Sequence, residues 1–275
     1  MIASEFTYIA PSSEAELAAV IMTATPPIRF MSGGTWFVPL LDAGHIDVNT
    51  VIDLSEVGLD HISIVGDAIT LGAATTYASL LDDRHIRADA PLLSRMAETI
   101  TGGPQIRHRG TIGGSAVYAN PASDVPTALA ALGARLEVRS PSGSREIDAL
   151  AFYVRPFETQ LRSDEYLARI RLPRLRSRVA YRKLKFGESS WPVVTVGVVV
   201  PPVGPAHVGL GGVGQCPIVM EIDTAESDIR GAAADWLSRA EFDPWSDHFA
   251  DAAYRLQVAP AMIDRTVRDA LRGPA

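Results

Sequence analysis

The sequence predicts an α+β fold. Three observations support this class: strand-like and helix-like segments alternate without a regular β–α–β rhythm, no internal repeat is present, and glycine and proline turns separate the segments. With 275 residues, 47% of them hydrophobic, the chain can bury a large core as one large domain or two modest ones.

The helical segments share apolar residues three and four positions apart, flanked by hydroxyl caps or by proline. They are expected at Glu14–Thr23 with Ser12 or Ser13 as the cap, after Thr75 or Thr76, from Pro91 to Ile100, around Leu129, at Trp245–Val258 and at Pro260–Leu271. Two helices rather than one are expected at the end of the chain, because proline suits the first turn of a helix.

The strand candidates are short runs rich in β-branched residues and bounded by turn formers. They lie at Ile28–Met31, Val51–Leu54, His61–Val65, Ala68–Leu71, Arg135–Val138, Arg145–Ile147, Val193–Val200, His207–Leu210 and Gln215–Val219. Gly66-Asp67 is a plausible hairpin turn. The segment Thr111–Asp124 is dense in turn formers, and Leu172–Arg178 is interpreted as a linker.

Composition excludes several classes of function. The 25 basic and 32 acidic residues give a net charge of −7, which argues against nucleic-acid binding. The single cysteine excludes an intrachain disulfide and a self-contained cysteine-ligated iron–sulfur cluster, and the six histidines show no metal-ligand spacing. Val193–Val200 is too short to span a membrane and no secretory signal is recognised, so a cytoplasmic location is predicted.

A dinucleotide-binding string, G-x-G-x-x-G, occurs at Gly209–Gly214. In a Rossmann fold a helix must open at the third glycine so that its N-terminus faces the pyrophosphate. Here Gln215–Val219 follows, and this segment has the pattern of a strand. We therefore interpret the glycines as tight strand turns.

Two glycine pairs flanked by hydroxyl side chains are the strongest candidates for a ligand site. They are Ser32–Thr35, directly after a strand candidate, and Thr111–Ser115. Without Cβ atoms, consecutive backbone N–H groups can point at one anion, and the hydroxyl groups add further donors. Two such nests could hold the two phosphates of a dinucleotide. The alternative is two ordinary glycine turns.

Several motifs occur in the order found in one known family. They are Gln105–Gly114, Asn120–Pro126, Ala131–Ala134, Ser32–Thr35, Leu71–Ala78, Tyr181–Lys185 and Gly209–Gly214. Together they resemble the FAD-binding medium subunit of molybdenum hydroxylases, a family that includes the carbon monoxide dehydrogenase flavoprotein and the xanthine dehydrogenase FAD subunit. The resemblance covers nearly the whole chain.

The resemblance implies a two-lobed FAD-binding domain of the vanillyl-alcohol-oxidase (PCMH) type at residues 1–172, with lobes at about 1–55 and 56–172. A C-terminal α+β domain of sheet and helices, similar to that of the carbon monoxide dehydrogenase flavoprotein, would follow at 178–275. FAD would be bound non-covalently between the lobes. Neither a catalytic residue nor a metal ligand is expected on this chain.

Cofactor-binding positions implied by the resemblance are Ser32, Gly33, Gly34, Thr35, Trp36, Thr111, Ile112, Gly113, Gly114, Ser115, Tyr118, Asp124, Lys183 and Trp191. Asp124 would accept hydrogen bonds from the hydroxyl-bearing part of the cofactor, or else cap a helix near Pro126. Trp191 would stack on the flavin ring or belong to the core. Lys183 or Lys185 would favour the reduced, anionic flavin, or else lie exposed at the surface.

Five positions depart from the family pattern: Ser115, Tyr118, Asn120, Trp36 and Val219. Ser115 replaces an asparagine but keeps one donor. The bulky Trp36 and Tyr118 could narrow the cofactor cleft or displace FAD.

The function implied is that of an electron-transfer subunit. A large molybdopterin-binding subunit would oxidise the substrate, a small iron–sulfur subunit would relay electrons, and FAD on this chain would pass them to NAD, oxygen or a quinone. Two alternatives stay open: a stand-alone flavin enzyme that has lost its partners, and a binding or scaffold module without a working flavin site.

Overall fold

A computed structural model describes residues 5–174 and 177–273. The helices in these residues are α1 (Glu14–Thr23), α2 (Phe37–Asp42), α3 (Tyr77–Asp82), α4 (Arg84–Asp89), α5 (Pro91–Glu98), α6 (Gly103–Arg109), α7 (Ile112–Tyr118), α8 (Asp124–Ala131), α9 (Ala149–Phe152), α10 (Ile229–Arg239) and α11 (Ala252–Arg272). Within the described residues, none of the helices combines the length and apolar character of a membrane span.

The strands are β1 (Thr7–Ile9), β2 (Ile28–Met31), β3 (Thr50–Asp53), β4 (Ile62–Val65), β5 (Ala68–Gly72), β6 (Arg135–Ser140), β7 (Gly143–Asp148), β8 (Tyr153–Arg155), β9 (Glu158–Thr159), β10 (Tyr166–Pro173), β11 (Arg178–Lys185), β12 (Pro192–Val200), β13 (Ala206–Gly211) and β14 (Ile218–Ile222). They form a parallel sheet in the order β1-β3-β2, an antiparallel sheet in the order β4-β5-β10-β6-β7, an antiparallel sheet in the order β11-β12-β13-β14, and the hairpin β8-β9. The predicted α+β class is confirmed.

Local signals account for the elements that agree with prediction. Ser13 caps α1 by accepting a hydrogen bond from the Glu16 N–H, as the hydroxyl before an apolar helical pattern predicted. β4 and β5 pair as the predicted hairpin around Gly66. β12 is buried along its whole length, because helices cover both faces of its sheet, and this explains its continuous apolar run.

Helix α8 packs closely on strand β13, and the glycine-rich string on β13 makes this possible. A Cβ atom at Gly209 would lie 2.7 Å from the carbonyl oxygen of Thr127, and one at Gly211 would lie 2.1 Å from the Thr127 hydroxyl. That hydroxyl is hydrogen-bonded to Thr195 on β12 at 2.8 Å. Strand β14 follows the glycines, as the interpretation against a Rossmann fold predicted. The interpretation as tight turns is wrong for Gly209 and Gly211, which lie within β13 and serve helix–sheet contact.

The prediction of two C-terminal helices is wrong. One helix, α11, runs from Ala252 to Arg272 with Pro260 inside it. An internal proline removes a helical hydrogen bond at a cost of about 3 kcal/mol. The apolar stripe through Met262, Ile263 and Val267 nevertheless continues across it and packs on the third sheet, so burial outweighs the lost hydrogen bond.

The segment between β10 and β11 also differs from expectation. The predicted linker Leu172–Arg178 is shorter in the structure, because β10 extends to Pro173 and β11 begins at Arg178; residues 175–176 lie outside the described part of the chain. The domain limits 1–172 and 178–275 stay a prediction.

Candidate functional site

Both glycine pairs line one cavity of about 530 Å³. Its walls come from the loop between β2 and α2, from α7 and the residues before it, from the start of β10, and from the segment that precedes β12. Twelve of the fourteen predicted cofactor-binding residues line it: Ser32, Gly33, Gly34, Thr35, Trp36, Thr111, Gly113, Gly114, Ser115, Tyr118, Asp124 and Trp191.

The two glycine segments meet through a backbone contact. A Cβ atom at Gly33 would lie 1.8 Å from the carbonyl oxygen of Arg109 and 3.2 Å from the Cα atom of Gly110. Gly110 directly precedes the second segment, Thr111–Ser115. Glycine at position 33 is therefore required for the first loop to rest on the backbone directly before the second segment.

The first glycine pair presents free backbone donors. In the described part of the chain, no acceptor receives the N–H groups of Gly33, Gly34, Thr35 and Trp36. Gly34 has φ +70°, a left-handed conformation that glycine adopts without strain. These donors border the cavity, as expected of an anion-binding nest.

The second glycine pair does not form the backbone nest that its sequence suggested. It lies in the first turn of α7, and the N–H groups of residues 112–115 donate to Ala73, Thr75 and Thr111 at 2.9–3.1 Å. Gly113 lacks a Cβ because that atom would lie 2.4 Å from the Cβ of Ala73. The donors that remain on this side of the cavity include the hydroxyl groups of Thr111 and Ser115.

One of these hydroxyl groups is paired with a tyrosine that the sequence analysis missed. The Ser115 Oγ and the Tyr77 hydroxyl are 2.5 Å apart, and both residues line the cavity. Burial raises the pKa of Tyr77, so its hydroxyl stays protonated. Tyr77 lies inside Leu71–Ala78, a segment that carried the family resemblance, and this was the available signal.

Asp124 is the first residue of α8, and its carboxylate is held by side chains from β11. The Tyr181 hydroxyl donates to Oδ1 at 2.5 Å, and the Lys183 Nζ lies 3.1 Å from Oδ1 and 3.0 Å from Oδ2. Burial raises the pKa of Asp124 against the opposing charge of Lys183, and burial lowers the pKa of Lys183. The N-cap of α8 is Ser123 rather than Asp124, so the alternative of a capping aspartate is not favoured.

Two predicted residues do not line the cavity. Ile112 is fully buried and belongs to the core between the second sheet and its helices. Lys183 lies behind Asp124, with an 8% exposed side chain. The neighbouring cation Lys185 instead reaches Thr101 at 3.2 Å and the backbone carbonyl of Glu188.

Three aromatic residues from separate segments meet at the cavity. The ring of Trp36 lies 5.2 Å from that of Tyr118 and 5.7 Å from that of Trp191, measured between centroids. Phe157 extends the cluster outward from Tyr118 at 5.3 Å. Burial raises the pKa of Tyr118 to about 12. The two bulky departures from the family pattern, Trp36 and Tyr118, therefore pack against Trp191.

Strand β10 supplies cavity residues that the sequence analysis did not single out. Glu165, just before β10, is 5% exposed and accepts two hydrogen bonds from Arg145, both at 2.8 Å. Tyr166 and Leu167 follow it in the cavity wall. These residues follow the glycine segments by 50 residues or more in sequence and belong to no motif, so only the fold reveals them.

Comparison with known proteins identifies relatives along the whole chain. Residues 4–175 match the family described as the FAD-binding domain in molybdopterin dehydrogenase. The chain is 30% identical to the carbon monoxide dehydrogenase medium chain of Afipia carboxidovorans, over 98% of each protein. It is 27% identical to the glyceraldehyde dehydrogenase medium chain of Sulfolobus acidocaldarius, over 96% of this chain and 98% of the relative.

A solved structure shares the fold. A chain of the carbon monoxide dehydrogenase from Hydrogenophaga pseudoflava, in a form that lacks the Mo-pyranopterin moiety, matches with a TM-score of 0.90 at 26% identity, covering 99% of each chain.

Proposed function

Since the chain belongs to the family of FAD-binding domains of molybdopterin dehydrogenases, we propose that it is the electron-transfer subunit of a molybdenum-containing hydroxylase. Family membership confirms the predicted cofactor, FAD, and the oxidoreductase class. The finer proposal concerns the route: electrons would arrive from an iron–sulfur subunit and leave for an external acceptor, either NAD, oxygen or a quinone.

The observation that carries the proposal is the meeting of the two glycine segments at one cavity. The free N–H groups of residues 33–36 suit a phosphate, and the hydroxyl groups of Thr111 and Ser115 lie on the other side. The volume of about 530 Å³ falls in the range of roughly 300–1,000 Å³ that is usual for ligand pockets. The residues present therefore fit a dinucleotide cofactor.

The residues of this chain would bind and orient FAD rather than react. The backbone donors of the first loop would hold its diphosphate, Asp124 would accept from its hydroxyl groups, and the ring cluster of Trp36, Tyr118 and Trp191 would exclude water. When bound, FAD supplies the redox chemistry of the subunit. Twelve of the fourteen predicted site residues line the cavity, while Lys183 and Ile112 lie outside its lining.

Two observations support partner subunits: the low number of cysteines in the sequence and the names of its relatives. Cys216 is the single cysteine of the sequence, fewer than an iron–sulfur cluster requires, so the clusters would lie on another chain. Three relatives that match over at least 96% of their length are named medium chains or medium subunits. We therefore propose a large molybdopterin-binding and a small iron–sulfur partner. A cytoplasmic location stays a prediction.

Purification from the native host tests the proposal. We expect the chain to co-elute with two other polypeptides, the complex to contain molybdenum and iron, and the absorbance spectrum to show flavin peaks. A chain that elutes alone, without molybdenum or iron, and that turns over a substrate would contradict it. Protein without flavin that binds no added FAD would instead favour a scaffold module.

A stand-alone flavin enzyme is the second candidate, and the aromatic cluster favours it. Trp36 and Tyr118 pack on Trp191 where the family pattern has smaller or polar residues, which could shape a pocket for an organic substrate. Under this alternative, the purified chain with FAD reduces its flavin when an organic substrate is added and no other subunit is present. Under the first proposal it does not.

A further inference from the structure

We propose that Lys183 and Tyr181 are positioning residues that hold the Asp124 carboxylate at the cavity wall, in the orientation that accepts a hydrogen bond from FAD. The resemblance suggested that Lys183 acts on the flavin directly, whereas the structure places it behind Asp124 and outside the cavity lining. The inference rests on the proposed binding of FAD and adds the C-terminal strand β11 to that function.

The carboxylate has one acceptor position left over. Two carboxylate oxygens offer about four acceptor positions. Tyr181 occupies one on Oδ1, and Lys183 contacts both oxygens. Among the residues that the structure describes, the position without a donor is on Oδ2, and Asp124 itself lines the cavity. The three contacts fix the carboxyl plane and leave Oδ2 able to accept from a ligand.

The two holding side chains cannot shift easily, because their strand is fixed to the helix that carries Asp124. Residues two apart on a strand share a face, so Tyr181 and Lys183 both point at α8. Lys183 pairs in register with Thr195 of β12, and Thr195 is hydrogen-bonded to Thr127 of α8 at 2.8 Å. Strand β11 and the N-terminus of α8 are therefore held in one arrangement.

Lys183 also acts on Asp124 through its positive charge. The groups that act on Asp124 are Lys183, Tyr181 and the more distant cation Lys185, and Asp124 in turn acts on the Tyr77 hydroxyl. Burial favours the neutral carboxyl group, and Lys183 opposes this by favouring the charged form. Without Lys183, the carboxyl group binds a proton at higher pH and becomes a weaker acceptor.

The experiment measures the dissociation constant of FAD by fluorescence titration between about pH 6 and pH 9 for the full chain and its variants. For Lys183→Met we expect about tenfold weaker binding at pH 7. Affinity should recover as the pH rises, with a midpoint about one pH unit or more above that of the wild type. Tyr181→Phe keeps the ion pair, so we expect a smaller loss of about threefold and no comparable midpoint shift.

A double-mutant cycle separates positioning from direct contact. If Lys183 acts through Asp124, Lys183→Met changes the affinity less than about twofold in the Asp124→Asn background, where no carboxylate needs holding. Arg182→Gln is the control: Arg182 lies on the same strand but is ion-paired with the half-buried Asp269, so the substitution should leave the affinity within about twofold. Circular dichroism establishes that each variant is folded.

Two results would overturn the inference: Lys183→Met binding FAD like the wild type at every pH, or losing equal affinity with and without the Asp124 carboxylate. If Lys183→Met does not fold, Tyr181→Phe decides, and unchanged affinity in that variant overturns the inference. Failure of the wild-type chain to bind FAD at all would instead refute the proposed function.

Discussion

Gly33→Ala tests the contact that brings the two glycine segments together. The added Cβ would lie 1.8 Å from the Arg109 carbonyl oxygen, while real Cβ atoms essentially never come within 3.0 Å of another heavy atom. One backbone segment must therefore move by about 1.2 Å. Overpacking costs about 1–3 kcal/mol, and we expect the upper half of this range because both partners are backbone.

This cost should be visible as a lower Tm and as weaker cofactor binding. A loss of about 2–3 kcal/mol corresponds to a decrease of about 5–10 °C in a chain of this size. Because the shift separates the free N–H groups of residues 33–36 from the hydroxyl groups of Thr111 and Ser115, we also expect FAD affinity to fall at least about tenfold. Differential scanning fluorimetry and flavin fluorescence titration measure the two effects.

Gly187→Ala is the matched control. A Cβ at Gly187 meets nothing within 4 Å, and its φ lies outside the left-handed range, so the same substitution should change stability by no more than about 0.5 kcal/mol. If Gly33→Ala also leaves Tm and FAD affinity unchanged, the first loop does not rest on the backbone at Arg109 as the structure has it, and the argument for one shared cradle is refuted.

Three further predictions concern the packing and charges around the site. Gly211→Ala places a Cβ 2.1 Å from the Thr127 hydroxyl oxygen, so unfolding free energy should fall by about 1–3 kcal/mol, and Thr127→Ala in the same chain should restore part of it. Trp36→Ala removes two ring contacts from the cavity, so iodide should quench bound flavin more strongly than in the wild type. Hydrogen bonds from Arg145 hold the pKa of Glu165 below its usual range. The charged carboxylate therefore stabilises the fold above the usual pKa of a glutamate, and this stabilisation is lost as the pH falls and the carboxylate is protonated. We expect Arg145→Met to unfold at a higher pH in an acid titration followed by circular dichroism.

The acid-unfolding prediction has a matched control variant in the same chain. Arg155→Gln breaks an ion pair with Glu158 in which both side chains are well exposed, and it should change stability by less than about 1 kcal/mol with no shift of the acid transition. Equal acid shifts in Arg145→Met and Arg155→Gln would contradict the role given to Glu165. Unchanged iodide quenching in Trp36→Ala would mean that the ring cluster does not shield the flavin.

Elements governed by neighbouring residues could be predicted from the sequence. Ser13 caps α1 from one position before it, and the apolar run Val193–Val200 predicted the strand β12. The continuity of α11 could not be predicted, because its interior Pro260 is tolerated only through packing on a sheet some 60 residues earlier in the chain. Local propensity gives way to tertiary burial there.

The candidate site, like the fold, could be predicted from the sequence only in part. Both glycine pairs were found because their residue types are unusual in sequence. Glu165 and Tyr77 were not, because a single glutamate or tyrosine carries no signal until β10 and α3 bring it to the cavity. The sequence also could not predict that the N–H groups of the first pair stay free while those of the second pair are hydrogen-bonded. The acceptors of the second pair, Ala73 and Thr75, lie some 40 residues earlier in the chain.

The glycines of the two pairs are required mainly by the protein itself. Gly33 makes room for the backbone at Arg109, Gly113 makes room for Ala73, and Gly34 adopts a left-handed conformation. A glycine motif of this kind therefore indicates close backbone packing in the cavity wall before it indicates contact with a ligand. Contact with a phosphate depends instead on which N–H groups the assembled wall leaves without an acceptor. In the described residues these include the N–H groups of residues 33–36, whereas those of residues 112–115 donate to acceptors within the protein. The two motifs, similar in sequence, consequently make different contributions: the first supplies backbone donors, and the second forms the first turn of α7 and packs against Ala73.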